Sequence, residues 1–125
     1  MKKQTKITLQ ELVRRKEQML EAKKKKKTQE LYVASLDGTI TIEEPSAALA
    51  RDAQEMDAGE GDVYMTYECV IDPPLKSKEL QDAFGCREPM EIVEKIFDAG
   101  EIPQIGVACM RLAGYIDSVT PVEKN

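Results

Sequence analysis

The chain has 125 residues, 42% of them hydrophobic but with only two Phe, four Tyr and no Trp, so it suits one ordinary domain with an aliphatic core, favouring packed helices over a sandwich. The absence of histidine removes the commonest general base and metal ligand, and with it every Ser-His or Cys-His nucleophile arrangement. The net charge of −5 is unevenly divided: residues 1–27 carry eleven Lys and Arg against three Glu, a local +8, while the remainder carries seven against twenty, or −13.

Thr8-Leu9-Gln10-Glu11 has the form of a capping box, in which the Thr8 hydroxyl and the Glu11 carboxylate satisfy free backbone amides at a helix start. Leu9, Leu12, Val13, Met19 and Leu20 then follow at roughly helical spacing, a narrow stripe among charged residues. The run Lys23 to Lys27 should fray the end of this helix by self-repulsion. From Leu31 to Leu36 and from Thr39 to Ile42 the pattern becomes that of strands, and Asp37-Gly38 between them predicts a two-residue hairpin turn. Two strands are marginal alone, so the hairpin must pack on helices or pair with another chain.

Pro45-Ser46 opens a helix to about Met56, and Asp57-Ala58-Gly59-Glu60-Gly61 is a break. Asp62 is the expected cap of a helix carrying Val63, Tyr67, Val70 and Ile71 on one face, stopped by Asp72-Pro73-Pro74. Ser77 caps Lys78 to Phe84, and a further helix is expected from Pro89 to Ala99. Gly85 and Gly100 follow these two as left-handed C-cap residues. A last helix runs from about Pro103 to Ala113, ended by Gly114, before a loose tail. The expected architecture is α+β, mainly α: a basic N-terminal helix, one β-hairpin, then about four helices around a single aliphatic core. By residue, this gives a basic helical arm at 1–29, a domain at 30–115 and a flexible tail at 116–125.

Little in the sequence points to chemistry. No phosphate-cradling glycine motif occurs, and no cofactor is indicated. Asp52, Glu55, Asp57, Glu60 and Asp62 lack the loop spacing of a calcium site and read as solvated surface, so no metal is expected. Glu79 with Asp82, and Glu91 with Glu94, stand three apart as an acid-base pair would, but so do the carboxylates of exposed helix faces. Cys69, Cys86 and Cys109 are odd in number and widely spaced, and read as free structural thiols. With no catalytic residues to name, the expectation is a protein that binds other proteins. The rival is a small nucleic-acid-binding regulator using the basic arm, which has lysines for phosphates but no aromatics for stacking. No stretch of eighteen apolar residues occurs and the basic start leads into no signal-peptide core, so a cytoplasmic location is expected.

The stretch from Tyr67 to Glu101 carries a recognisable order of punctuation. A helix ends at Asp72-Pro73, with Leu75 after it. Glu79-Leu80-Gln81-Asp82 leads to Phe84-Gly85, and a helix with Ile92, Val93 and Ile96 ends at Gly100-Glu101, ahead of a closing apolar helix to Gly114. Together with the upstream hairpin, over about residues 30–115, this resembles the tail assembly chaperones of contractile-tailed phages and prophages of Gram-positive bacteria. The long basic first helix departs from the shorter, less charged start of that family.

The resemblance implies a bacterial host cytoplasm and a role in tail morphogenesis: keeping the long, helical, aggregation-prone tape measure protein soluble while tail tube protein polymerises around it. A structural tail component is the alternative within the same setting. Leu75, Leu80, Phe84, Ile92, Ile96 and Phe97 are the candidate partner-binding residues, each also a candidate for core. The hairpin edge is the candidate for homo-oligomer contact.

Overall fold

The computed structural model of the protein describes residues 5–122, so the first four residues of the basic arm and the last three of the expected flexible tail lie outside it. Residues 27–118 form one compact unit, and the first helix falls outside that unit.

α1 (Leu9–Lys24) starts where the sequence marks it: the Thr8 hydroxyl oxygen accepts from the Glu11 amide at 3.2 Å. The Glu11 carboxylate does not complete the expected box. It accepts instead from the Arg14 guanidinium at 3.0 and 2.9 Å and from Arg15 at 2.9 Å, because two charged donors one turn on outbid a neutral amide. The helix ends inside the lysine run, Lys25 being extended, and buries none of its residues.

β1 (Thr28–Val33) pairs antiparallel with β2 (Gly38–Glu43), with Val33 opposite Gly38. The connection is therefore four residues, not the expected Asp37-Gly38 pair. Ala34–Leu36 form a 3-10 turn, and Asp37 alone takes the left-handed conformation, at φ 44° and ψ 50°. A short polar side chain tolerates that region, and the Asp37 carboxylate is held by the Tyr32 hydroxyl at 2.8 Å. Ile40 and Ile42 alternate inward from β2, while Thr39 points to solvent.

α2 (Ala47–Glu55) begins at Ser46, whose hydroxyl oxygen accepts from the Leu49 amide at 3.1 Å. The next helix departs from expectation at both ends. α3 (Glu60–Cys69) starts at Gly59, whose φ of 91° turns the chain out of the preceding break, and Asp62 lies inside the first turn instead of capping it. Val70 and Ile71 leave the helix to form β3 (Val70–Asp72), which adds to the hairpin in the order β1-β2-β3 with Val70 opposite Ile42. Two causes act together. Pro73 pushes Asp72 toward extended geometry, and the open edge of β2 supplies backbone partners that a helix end would lack.

α4 (Lys78–Ala83) is capped by Ser77, and Gly85 beyond it is left-handed at φ 68°, as expected. α5 (Glu91–Ile96) is shorter than the expected Pro89–Ala99. Its Glu91 carboxylate accepts from the Arg87 and Glu88 amides at 3.3 and 2.9 Å, fixing residues 87–90 as a non-helical entry, and Phe97 is extended. α6 (Glu101–Leu112) starts earlier than expected, with Pro103 in its first turn, where no N–H is needed. Gly100 therefore sits at φ −76° as an ordinary helix entry and not as a left-handed cap, whereas Gly114, at φ 89°, does close α6.

α3 touches α2, α5, α6 and β3, which explains why its apolar residues follow no single stripe. Met65, Thr66 and Cys69 are buried on it, with Val63, Tyr64 and Tyr67 half-buried around them. Around that axis Ile40, Ile42, Leu75, Ile92, Val93, Ile102 and Ile105 make the aliphatic core. The mainly α architecture with an antiparallel sheet stands, and among the described residues five helices follow the hairpin.

Candidate partner-binding groove

The six residues singled out from the sequence separate by exposure. Leu75, Ile92 and Phe97 lie in the core, and Leu80 and Ile96 are half-buried against it. Phe84, the C-cap of α4, is exposed. Gln81 holds α4 down by donating to the Leu75 carbonyl at 2.9 Å, and Lys76, pairing with Glu68 at 2.7 Å beside the Tyr67 ring, ties the same loop to α3. This end of the unit therefore presents Phe84 on a braced platform.

A groove of about 840 Å³ lies elsewhere, reached from α3, α5 and the start of α6. Val63, Phe97 and Ile102 line its apolar part, and the exposed Met56 and Met90 stand beside them. Glu60 and Asp62 from α3 and Glu88, Glu91 and Glu94 from around α5 complete the lining, which contains no Lys or Arg. A second opening of about 440 Å³ shares Met56, Ala58, Gly59 and Asp62 with it and adds Met65, Met110 and Tyr115. Four of the six methionines thus line two adjoining depressions. An unbranched thioether adapts its shape to what it meets, which is useful where the apposed surface is itself irregular.

Phe97 is the one candidate of the six that lines this groove. Met56 and Met90 were missed because they stand at element boundaries, outside any helical stripe, and Val63 was read only as part of one helix face. Glu91 and Glu94 were noticed as carboxylates three apart, a spacing shared by acid-base pairs and exposed helix faces, and both line the groove.

Other polar features are local. The Glu101 carboxylate is held below its ordinary value by hydrogen bonds from the Ser35 hydroxyl and from the Asp98 and Ser35 amides. A hydrogen bond with Cys69, together with burial, pushes the Cys109 thiol far up, so it is no nucleophile near neutral pH. Cys86 is half-buried. Among the described residues no group of three or more His, Cys, Asp or Glu could hold a metal ion, and no helix is long and apolar enough to cross a membrane.

A family model described as the phage XkdN-like tail assembly chaperone protein matches residues 1–124, including the basic first helix. Neither the curated proteins nor the solved structures offer a significant match.

Proposed function

The chain belongs to the XkdN-like family of phage tail assembly chaperones, and on that premise we propose that it binds the tape measure protein and keeps it in solution in the host cytoplasm until the tail tube encloses it. The observation that carries this reading is the groove bounded by α3, α5 and α6: apolar along Val63, Phe97 and Ile102, flanked by adaptable methionines and ringed by five carboxylates. An amphipathic helix lays its apolar face into such a groove, and successive segments of one long helical partner differ in sequence but share that face. Methionine-rich surfaces suit a partner of that kind because they repack around different side chains. The acidic rim keeps the complex dispersed by like-charge repulsion between copies.

Leu75 and Ile92 belong to the core, Leu80 and Ile96 pack against it, Phe97 forms part of the groove wall, and the exposed Phe84 offers a second apolar contact outside the groove. The test is co-expression with a phage tape measure protein, then size exclusion with and without this chain. A tape measure that becomes soluble and co-elutes supports the proposal. A tape measure that stays insoluble while this chain elutes alone removes it, and salt-sensitive retention of the chain on DNA would then favour the nucleic-acid reading of the basic arm.

A further inference from the structure

The sheet has two edges, and the fold treats them differently. β3 is three residues long, meets an irregular register at Thr41 and Ile42, and runs straight into Pro73-Pro74, so it offers little to a further strand. β1 carries none of these protections: Thr28–Val33 holds no proline, glycine or lysine and keeps an unbroken register against β2. The ladder also fixes which of its groups stay open. The Glu44 amide donates to the Lys27 carbonyl at 2.8 Å, which makes Lys27 and Glu44 a hydrogen-bonded pair and, by alternation, Gln29 with Ile42, Leu31 with Ile40 and Val33 with Gly38. The backbone N–H and C=O groups of Thr28, Glu30 and Tyr32 therefore point away from β2, and none has a backbone partner among the described residues.

The inner face is incomplete at the same edge. An opening of about 290 Å³ lies between β1 and α6, lined by Leu31 and Val33 on one side and by Gln104, Ile105 and Ala108 on the other. Leu31 points to the core side of the sheet yet is only half-buried. This opening shares no lining residue with the α3/α5/α6 groove.

We infer that β1 of one copy pairs antiparallel with β1 of a second copy about a twofold axis, joining the two sheets into one. Such an edge contact is self-complementary, so each copy supplies the strand that the other lacks. The register follows from the side chains. An axis at Gln29 would set Leu31 against Lys27, and one at Glu30 would oppose two carboxylates directly, which is unfavourable. An axis at Leu31 lets Glu30 exchange both backbone bonds with Tyr32 of the second copy and brings the two half-buried leucines together beside the openings. It also sets the exposed Lys27 opposite Ser35 of the second copy, the residue that holds the Glu101 carboxylate, so an ammonium group approaches a carboxylate at each end of the contact. That charge match is built from this chain's own residues and favours a second copy over a foreign strand.

The test is sedimentation equilibrium of the full chain over a range of concentrations, where the mass should rise toward twice 14.0 kDa. Glu30→Pro removes one outward N–H and leaves the β1–β2 ladder whole, so a folded chain that dimerises on the order of tenfold more weakly is expected. Glu30→Gln keeps that N–H and should dimerise at least as well as the wild type. Leu31→Cys places two thiols at the axis, so oxidised glutathione should link the copies there. Gln29→Cys, on the same face but opposite Val33 of the second copy, should stay unlinked. Should Glu30→Pro lose its fold, the two cysteine variants decide alone. A wild type that stays monomeric at every concentration overturns the inference and leaves the edge to an extended segment of another protein. Folded Glu30→Pro that associates at wild-type strength, or linkage of Gln29→Cys in place of Leu31→Cys, would overturn it equally.

Discussion

Ser35, in the turn of the hairpin, gives both its backbone amide and its hydroxyl to one carboxylate, that of Glu101, at 3.0 and 2.6 Å across a separation of 66 residues. The same carboxylate takes the Asp98 amide at 3.0 Å and stands at the positive end of α6, so a single side chain joins the sheet to the helix it packs on. These donors hold the Glu101 pKa below the ordinary 4.5. A depressed folded value means that the contribution to stability is complete above the unfolded value, declines as pH falls through 4.5, and is gone once pH is under the lowered folded value. Glu101→Gln should therefore melt below the wild type at pH 7, with the gap closing in acid. Equal gaps at pH 7 and pH 3 would show that the charge contributes nothing.

A second contact is steric. A Cβ on Gly61 would drive into the Ala53 carbonyl of α2, a backbone atom that cannot move without the helix. Gly106 also sits close to a neighbour, but there the new Cβ would meet Asp62 Oδ1 at 2.7 Å, the far end of a half-exposed side chain at the groove. Gly61→Ala should cost about 2 kcal/mol of stability by overpacking. Gly106→Ala should be close to neutral, since relief of a mid-helix glycine contributes up to ~1 kcal/mol in the opposite direction. Urea titrations of the two variants measure the difference, and equal losses would refute the assignment.

The sequence was most informative where local chemistry decides. Thr8, Ser46 and Ser77 each cap a helix within reach of their own amides, and Gly85 and Gly114 take the left-handed positions that end one. It misled where a distant partner decides. Val70 and Ile71 have helical spacing relative to Val63 and Tyr67, yet a strand 28 residues away, with Ile42 opposite Val70, draws them into the sheet. The groove was illegible for a related reason. Its residues come from Met56 to Pro103, and no periodicity links positions that meet only after α3, α5 and α6 have packed.

Thr66 illustrates a cost accepted inside the core. Its side chain is fully buried in α3, and its hydroxyl has no hydrogen-bond partner among the described residues. An unpaired buried hydroxyl carries its desolvation penalty without return. Thr66→Val keeps the branched shape and removes the polar atom, so it should stabilise the fold by about 1 kcal/mol. A loss of similar size in thermal denaturation would mean that the hydroxyl is satisfied, for instance by a bound water.

The proposed partner surface can be separated from the rival apolar contact by two exposed residues. Met90 lines the groove and Phe84 does not, yet the two are almost equally accessible, at 41% and 43%. Neither supports the core, so Met90→Glu and Phe84→Ser should both leave stability within about 0.5 kcal/mol of the wild type. In the groove, Met90→Glu removes an adaptable apolar contact and adds a sixth carboxylate to a lining that already has five. A partner helix presenting its apolar face there loses a methionine's worth of burial, roughly 1–2 kcal/mol, and must desolvate the new charge as well. Capture of the tape measure protein should fall at least tenfold for Met90→Glu, a loss of roughly 1.4 kcal/mol or more, and change little for Phe84→Ser. The reverse pattern would move the binding face to the α4 platform, where the Gln81 and Lys76 contacts brace the loop beneath Phe84.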